Sequence, residues 1–243
     1  SSQQLAHPLP PVIQKAALGY LRQLGGEMQF IKASVFYGGV KPGRDPLEYA
    51  EPLAQHFIAG AVLHPHFIDT YFLCQATLPY INDEYVVQAN SVLSMGEKAL
   101  PDNFVLPFFI GFNHFYHLKE PQDAARFLKI ASEKPNGPTW LGHLASILAA
   151  EGGDIYGGLI WLKAMLAGEE DELMRERYQH SIAMFERAVT VQQAIDSYKK
   201  QQGNYPAKLT DLVPDILPAL PEFDSPFRLI WNPPTLRLLR ETK

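Results

Sequence analysis

Across residues 11–202 the apolar positions recur at helical steps, and strand-like alternation is almost absent. Pro11 is followed by Val12, Ile13, Ala16, Ala17, Tyr20, Leu21 and Leu24 at such steps. Proline suits the first turn of a helix, and Gly25-Gly26 predicts its end. A second helix is predicted over residues 27–37, closed by Gly38-Gly39. Residues 40–46 contain Pro-Gly and Asp-Pro pairs and read as a loop. The next helix is predicted over residues 46–63, stopped by Pro65.

A period underlies these helices. Leu53, Phe57, Gly60 and Pro65 are spaced by four, three and five residues, and Ala89, Leu93, Gly96 and Pro101 repeat those spacings. Ala124, Leu128 and Ala131 repeat the first two, with Pro135 behind them, as do Gly157, Trp161 and Ala164. The large residues are offset by 36, 35 and 33 positions. On the preceding helices Leu73-Cys74, Ile110-Gly111 and Leu141-Gly142 align. A small residue lets two helices approach closely, and the bulky neighbour fills the space beside it.

This pattern resembles the tetratricopeptide repeat, a helix–turn–helix unit of about 34 residues. The resemblance covers residues 27–168 and implies a mainly α, TPR-like helical solenoid over residues 1–168. Not every signature position is filled: Gly157, for example, stands where the family has alanine.

Residues 169–202 form a long helix without Pro or Gly. It opens on Glu169, Glu170, Asp171 and Glu172 and ends near Lys199 and Lys200, charges that suit the helix dipole. Tyr178, Ile182, Phe185 and Val189 share one face, and Val191, Ile195 and Tyr198 another. Two residues from Val189 to Val191 turn the helix by about 200°, so the apolar stripe is expected to change sides. Residues 203–243 make a Pro-rich tail. Leu209, Leu212 and Val213 allow one short helix, and residues 227–231 and 235–239 read as two strands joined by Asn232-Pro233-Pro234. A lone hairpin is marginal in water, so this one is expected to pack on the second face of the long helix.

The run Ala194-Ile195-Asp196-Ser197-Tyr198, then Gly203-Asn204-Tyr205-Pro206, Leu209 and Leu212-Val213, resembles type II secretion pseudopilins and type IV pilin-like proteins. The resemblance implies a small α+β appendage and an envelope or secretion context. The hydrophobic N-terminal helix of pilins is absent, so filament assembly is not implied.

The chain has 243 residues, 47% hydrophobic and 19% charged, which is ordinary globular composition. Its net charge of −5, with no basic run, argues against a nucleic-acid partner. One cysteine, Cys74, leaves neither an internal disulfide nor a thiolate metal cage. One cysteine suits cytoplasm and periplasm equally; the resemblances favour a periplasmic or membrane-anchored protein facing the periplasm, with an anchor expected upstream of Ser1.

Chemistry-bearing motifs are scarce. His114 and His117 are three apart on a helix, but no carboxylate follows at ligand spacing and they read as core or groove histidines. His64 and His66 flank Pro65 at a helix end. Cys74 sits at a small-residue position and reads as a packed thiol. Nucleophile-elbow, dinucleotide and phosphate-loop patterns are missing. No catalytic residue, cofactor or metal is expected, and the chain reads as a non-enzyme.

Surface recognition is what these features leave. The tetratricopeptide resemblance implies a concave groove lined by the first helix of each pair. Carried over, it selects Phe108, Phe112, Phe115 and Tyr116, with Tyr71 and Gln75 before them and Thr139 and His143 after. An aromatic row with few charges suits an apolar helix or extended peptide. The expectation is a protein–protein interaction scaffold or adaptor, in a bacterial envelope, secretion or pilus-related assembly. Two alternatives stay open: a structural homo-oligomer whose groove is filled by its own chain, and an enzyme with an unrecognised metal site.

Overall fold

The computed structural model describes residues 4–241 and is mainly helical, with a small two-stranded antiparallel sheet. The chain divides into two compact units. One runs to Lys119 and includes residues 134–136; the other comprises residues 120–133 and the chain from Gly137 onward. Among the described residues no helix is long and apolar enough to cross a membrane.

The first unit contains α1 (Pro11–Leu18), α2 (Arg22–Gly38), α3 (Ala50–Leu63), α4 (Ile68–Thr77), α5 (Asp83–Ala99) and α6 (Val105–Asn113). The Gly25-Gly26 pair does not end a helix as expected. The break comes at Gly19, whose φ of +52° lies in the left-handed region that glycine tolerates. Gly25 and Gly26 lie within α2 because it packs tightly there: a Cβ on Gly26 would stand 2.6 Å from the His64 Cβ. Asn82 caps α5 by accepting a hydrogen bond from the Tyr85 amide, and Asp83 and Glu84 favour its positive end. Leu53, Phe57, Tyr71, Leu93, Leu106 and Ile110 are fully buried between these helices. Each such side chain contributes roughly 1.5–3 kcal/mol by leaving water.

The second unit contains α7 (Pro121–Glu133), α8 (Thr139–Glu151), α9 (Ile155–Gly168), α10 (Glu172–Gln202), β1 (Phe227–Asn232) and β2 (Thr235–Arg240). Asp171 caps α10 through the Met174 amide, and Gly203 at φ +77° closes it. The strands pair antiparallel, Phe227 opposite Arg240 and Asn232 opposite Thr235. A single-turn 3-10 helix, Leu209–Leu212, stands where the short tail helix was expected.

Three features of this unit revise the sequence reading. The apolar stripe of α10 changes sides gradually rather than in a single step. Phe185, Ala188, Val191 and Ala194 are all buried at steps of three, so the buried face precesses gradually along the helix. One cluster joins Leu159 and Leu162 of α9, Tyr178 and Phe185 of α10, and Phe227, Leu236 and Leu238 of the hairpin. The tail is thus part of this unit's core, and β2 packs on α8 as well as on α10. In α9 Gly158 and Leu162, with Ile155 and Leu159, are buried; the first two lie one residue beyond the expected Gly157 and Trp161, and Ala164 is exposed. With Leu162 as the large residue, the last offset becomes 34 instead of 33, closer to those before it.

Candidate functional site

The expected groove residues divide between the two units. Phe108 and Phe112 lie half-buried on α6, in the first unit. Phe115 and Tyr116 lie in the five-residue π-helical turn that continues α6, His114–Leu118, and are 42% and 53% exposed. Lys119, at φ +59°, ends this turn. Widened turns of this kind shift the register of the side chains that follow them.

Two expected groove residues of this unit are instead interior. Tyr71 is fully buried; its hydroxyl donates to the Pro65 carbonyl at 2.7 Å and its ring fills the space that Gly96 leaves open. A Cβ on Gly96 would meet the Tyr71 ring at 2.7 Å. Gln75 is also buried, because it pairs with Asn113. The Gln75 Nε2 donates to Asn113 Oδ1 at 2.8 Å, and Asn113 Nδ2 donates back to Gln75 Oε1 at 2.8 Å and to Asn90 Oδ1 at 2.8 Å. Three carboxamides from α4, α6 and α5 thus satisfy one another beneath the aromatic row. Buried polar groups left unpaired are costly, so this arrangement fixes the register of α6 against α4.

Above these carboxamides the rings form an uninterrupted series. Phe72 meets Phe109 edge to face at 5.4 Å, Phe109 meets Phe108 at 6.0 Å, and Phe108 meets Phe112 at 6.4 Å. Phe112 stacks on Tyr116 at 5.3 Å, Tyr116 abuts His117 at 5.0 Å, and His117 abuts Tyr80 at 5.2 Å. Phe72 and Tyr80 are exposed, so both ends of the series reach the surface. Lys119 Nζ lies 5.2 Å from the Tyr116 ring centre. Burial, then the Lys119 charge, lowers the His117 pKa.

The second unit holds the other two expected residues. Thr139 is exposed at the start of α8. His143 is buried rather than open to a groove, because its Nε2 bonds Ser181 Oγ at 3.0 Å and its ring lies against Tyr178. His143 and Ser181 line a cavity of about 510 Å³ together with Glu176, Arg177, His180, Phe227 and Arg240. Burial, then Arg240 and Arg177, lowers the His143 pKa to about 4. Among the described residues no carboxylate hydrogen-bonds this ring, so the Ser–His pair lacks the third group that orients a base toward a nucleophile. A second cavity, about 520 Å³, lies among α7, α8 and α9, with small residues on its walls and Arg126, Lys129 and Trp161 at its edge. Lys129 Nζ sits 4.4 Å from the centre of the Trp161 ring. Cys74 is buried, and burial raises its thiol pKa far above the ordinary value.

Sequence reasoning missed Asn113, Asn90 and the Ser181–His143 contact. One signal was available for Asn113, which follows the unbroken run Val105-Leu106-Pro107-Phe108-Phe109-Ile110-Gly111-Phe112. A polar residue placed on such a helix needs an interior partner. No protein-family model, curated protein or solved structure matches the chain.

Proposed function

We propose that this chain is a non-enzymatic adaptor that binds an apolar protein segment on the aromatic surface of its first unit. The observation that carries the reading is the ring series from Phe72 to Tyr80, exposed at Phe72, Tyr116 and Tyr80, with Phe115 exposed on the same turn as Tyr116. Tyr and Phe are effective anchors because they bury large area with few rotatable bonds. A carboxamide network below and stacked neighbours alongside restrain the rings before any partner arrives, which lowers the entropy cost of binding. An exposed aromatic patch with Lys119 as its nearby charge favours an apolar helix or extended segment over a charged tail.

The spacing of buried large residues by 34 to 36 positions supports a TPR-like organisation of the helices. The likeness of residues 194–213 to pseudopilins supports an envelope, secretion or pilus-related setting. Co-purification from native cells tests the reading, with Phe112→Glu as the control. A partner retained by the wild type and lost by the folded variant supports it. A homo-oligomer that Phe112→Glu dissociates, with no partner bound, replaces the adaptor by a self-filled groove.

A further inference from the structure

Three elements of the second unit place a polar side chain in an otherwise apolar inward row, and all three side chains line one cavity. On β2 the row runs Leu236, Leu238 and then Arg240, because alternate residues leave a strand on the same face. Leu236 and Leu238 belong to the buried cluster with Phe185, whereas Arg240 ends the row as a cation. On α10, buried Ser181 stands between Tyr178 and Phe185. On α8, His143 is buried in a helix whose other buried residues are apolar apart from Ser146. His143 and Ser181 satisfy each other at 3.0 Å. With Arg240 they line the cavity of about 510 Å³, which Arg177, one turn before Ser181 on α10, also borders.

These two arginines are unpaired, unlike most others of the unit. Arg126, Arg187 and Arg228 each pair with a carboxylate, and Arg175 donates to the Glu169 carbonyl. Among the described residues the Arg177 and Arg240 side chains make neither a hydrogen bond nor an ion pair. Glu176 is the one acid in the lining, so two guanidiniums face one carboxylate and leave a surplus of one positive charge. That surplus reaches His143, whose pKa is lowered by burial and then by Arg240 and Arg177. Beside the charges lies an apolar wall. Phe227 stands opposite Arg240 across the hairpin, Pro226 adjoins it, and the His180 ring lies 5.9 Å from that of Phe227.

We propose that this cavity binds a small organic carboxylate, its oxygens held by Arg177 and Arg240 and its apolar body against Pro226 and Phe227. A guanidinium presents parallel N–H donors that match the two oxygens of a carboxylate. A single carboxylate balances the surplus charge, whereas a phosphate dianion exceeds it and is repelled by Glu176. The volume is that of a small-molecule site, with few polar groups set against an apolar wall. All of these residues belong to the second unit, and the site does not depend on the aromatic series of α6.

Titration of the whole chain, followed through amide chemical shifts in NMR, tests the proposal with benzoate, its neutral analogue benzamide and inorganic phosphate as probes. Benzoate is expected to shift the amides of His143, Ser181 and Phe227 saturably, and to bind about tenfold more tightly than either of the others. Arg177→Gln and Arg240→Gln, both at exposed positions, each weaken benzoate about tenfold, the loss of one charge-assisted contact. Glu176→Gln strengthens it, because a repelling charge is removed, and a damaged fold does not produce a gain. Benzoate that binds no more tightly than benzamide, or with an affinity that the arginine variants leave unchanged or Glu176→Gln fails to raise, overturns the proposal. So does tighter binding of phosphate, since the cavity then takes a different anion.

Discussion

Gln75 and Asn113 hold each other through two reciprocal hydrogen bonds of 2.8 Å inside the first unit, one carboxamide on α4 and the other on α6. Asn90 of α5 completes the set by accepting from Asn113 Nδ2. Neighbouring positions on α6 and the turn after it carry much of the aromatic series, so a polar interior contact sets where these rings stand.

Asn113→Ala removes the partner of Gln75 and leaves that buried carboxamide without its bonds. A loss of about 2–3 kcal/mol in unfolding free energy is expected, the upper range for an unpaired buried polar group. Gln75→Leu combined with Asn113→Leu recovers part of that loss, because neither group is then left orphaned. Urea unfolding of Gln75→Leu, Asn113→Leu and the double variant reads the coupling between them. Strictly additive losses would show that the two carboxamides do not depend on each other.

Adjacent glycines on α9 report which register packs. A Cβ on Gly158 would stand 2.6 Å from the Phe185 ring and 2.7 Å from the Ser146 carbonyl oxygen, both held in the interior. On Gly157 the three heavy atoms nearest the added carbon all belong to the side chain of Asp154, which caps the same helix. Gly158→Ala is expected to cost about 1–3 kcal/mol or more by overpacking. Gly157→Ala stays within about 1 kcal/mol, the weakened cap being offset by better helix propensity. Thermal unfolding of the two variants separates them, and equal melting temperatures would contradict the packing described for α9.

That contrast also marks the reach of sequence reasoning. Helical steps and small–large spacing were enough to place α3, α5 and α7, whose Leu53, Ala89, Leu93, Ala124 and Leu128 are buried as expected. The same spacing slipped by one residue on α9, because Gly157 and Gly158 are both small and only their neighbours, Phe185 and the Ser146 carbonyl, decide between them. The hairpin was legible from β-favouring residues flanking a proline turn. The aromatic surface was legible in part: Phe108, Phe112, Phe115 and Tyr116 share a short stretch of chain, whereas Tyr71 lies inside because Gly96, 25 positions later, makes room for its ring. Pairings such as Gln75 with Asn113 or His143 with Ser181 join residues 38 positions apart and leave no local pattern.

The stability of the second unit is expected to fall with acid through His143. Its folded-state pKa of about 4 lies below the ordinary 6.5, so the unfolded chain binds the proton first as pH drops. The stability from the neutral ring is complete above about pH 6.5 and is lost between there and pH 4, on the order of 3 kcal/mol. His143→Gln keeps a hydrogen-bonding group near Ser181 without a titrating ring. Unfolding free energies measured across this window should fall more steeply for the wild type than for the variant. Parallel slopes would show that the acid sensitivity lies elsewhere.

Partner contact is where the adaptor reading stands or falls, and a photo-crosslinking residue at Tyr116 reads it most directly in living cells. The expected result is a discrete crosslink to a different protein, lost when Phe112→Glu is added and missing when the probe stands at exposed Gln179 of the second unit. Crosslinks only to further copies of this chain, or none from position 116, would contradict it.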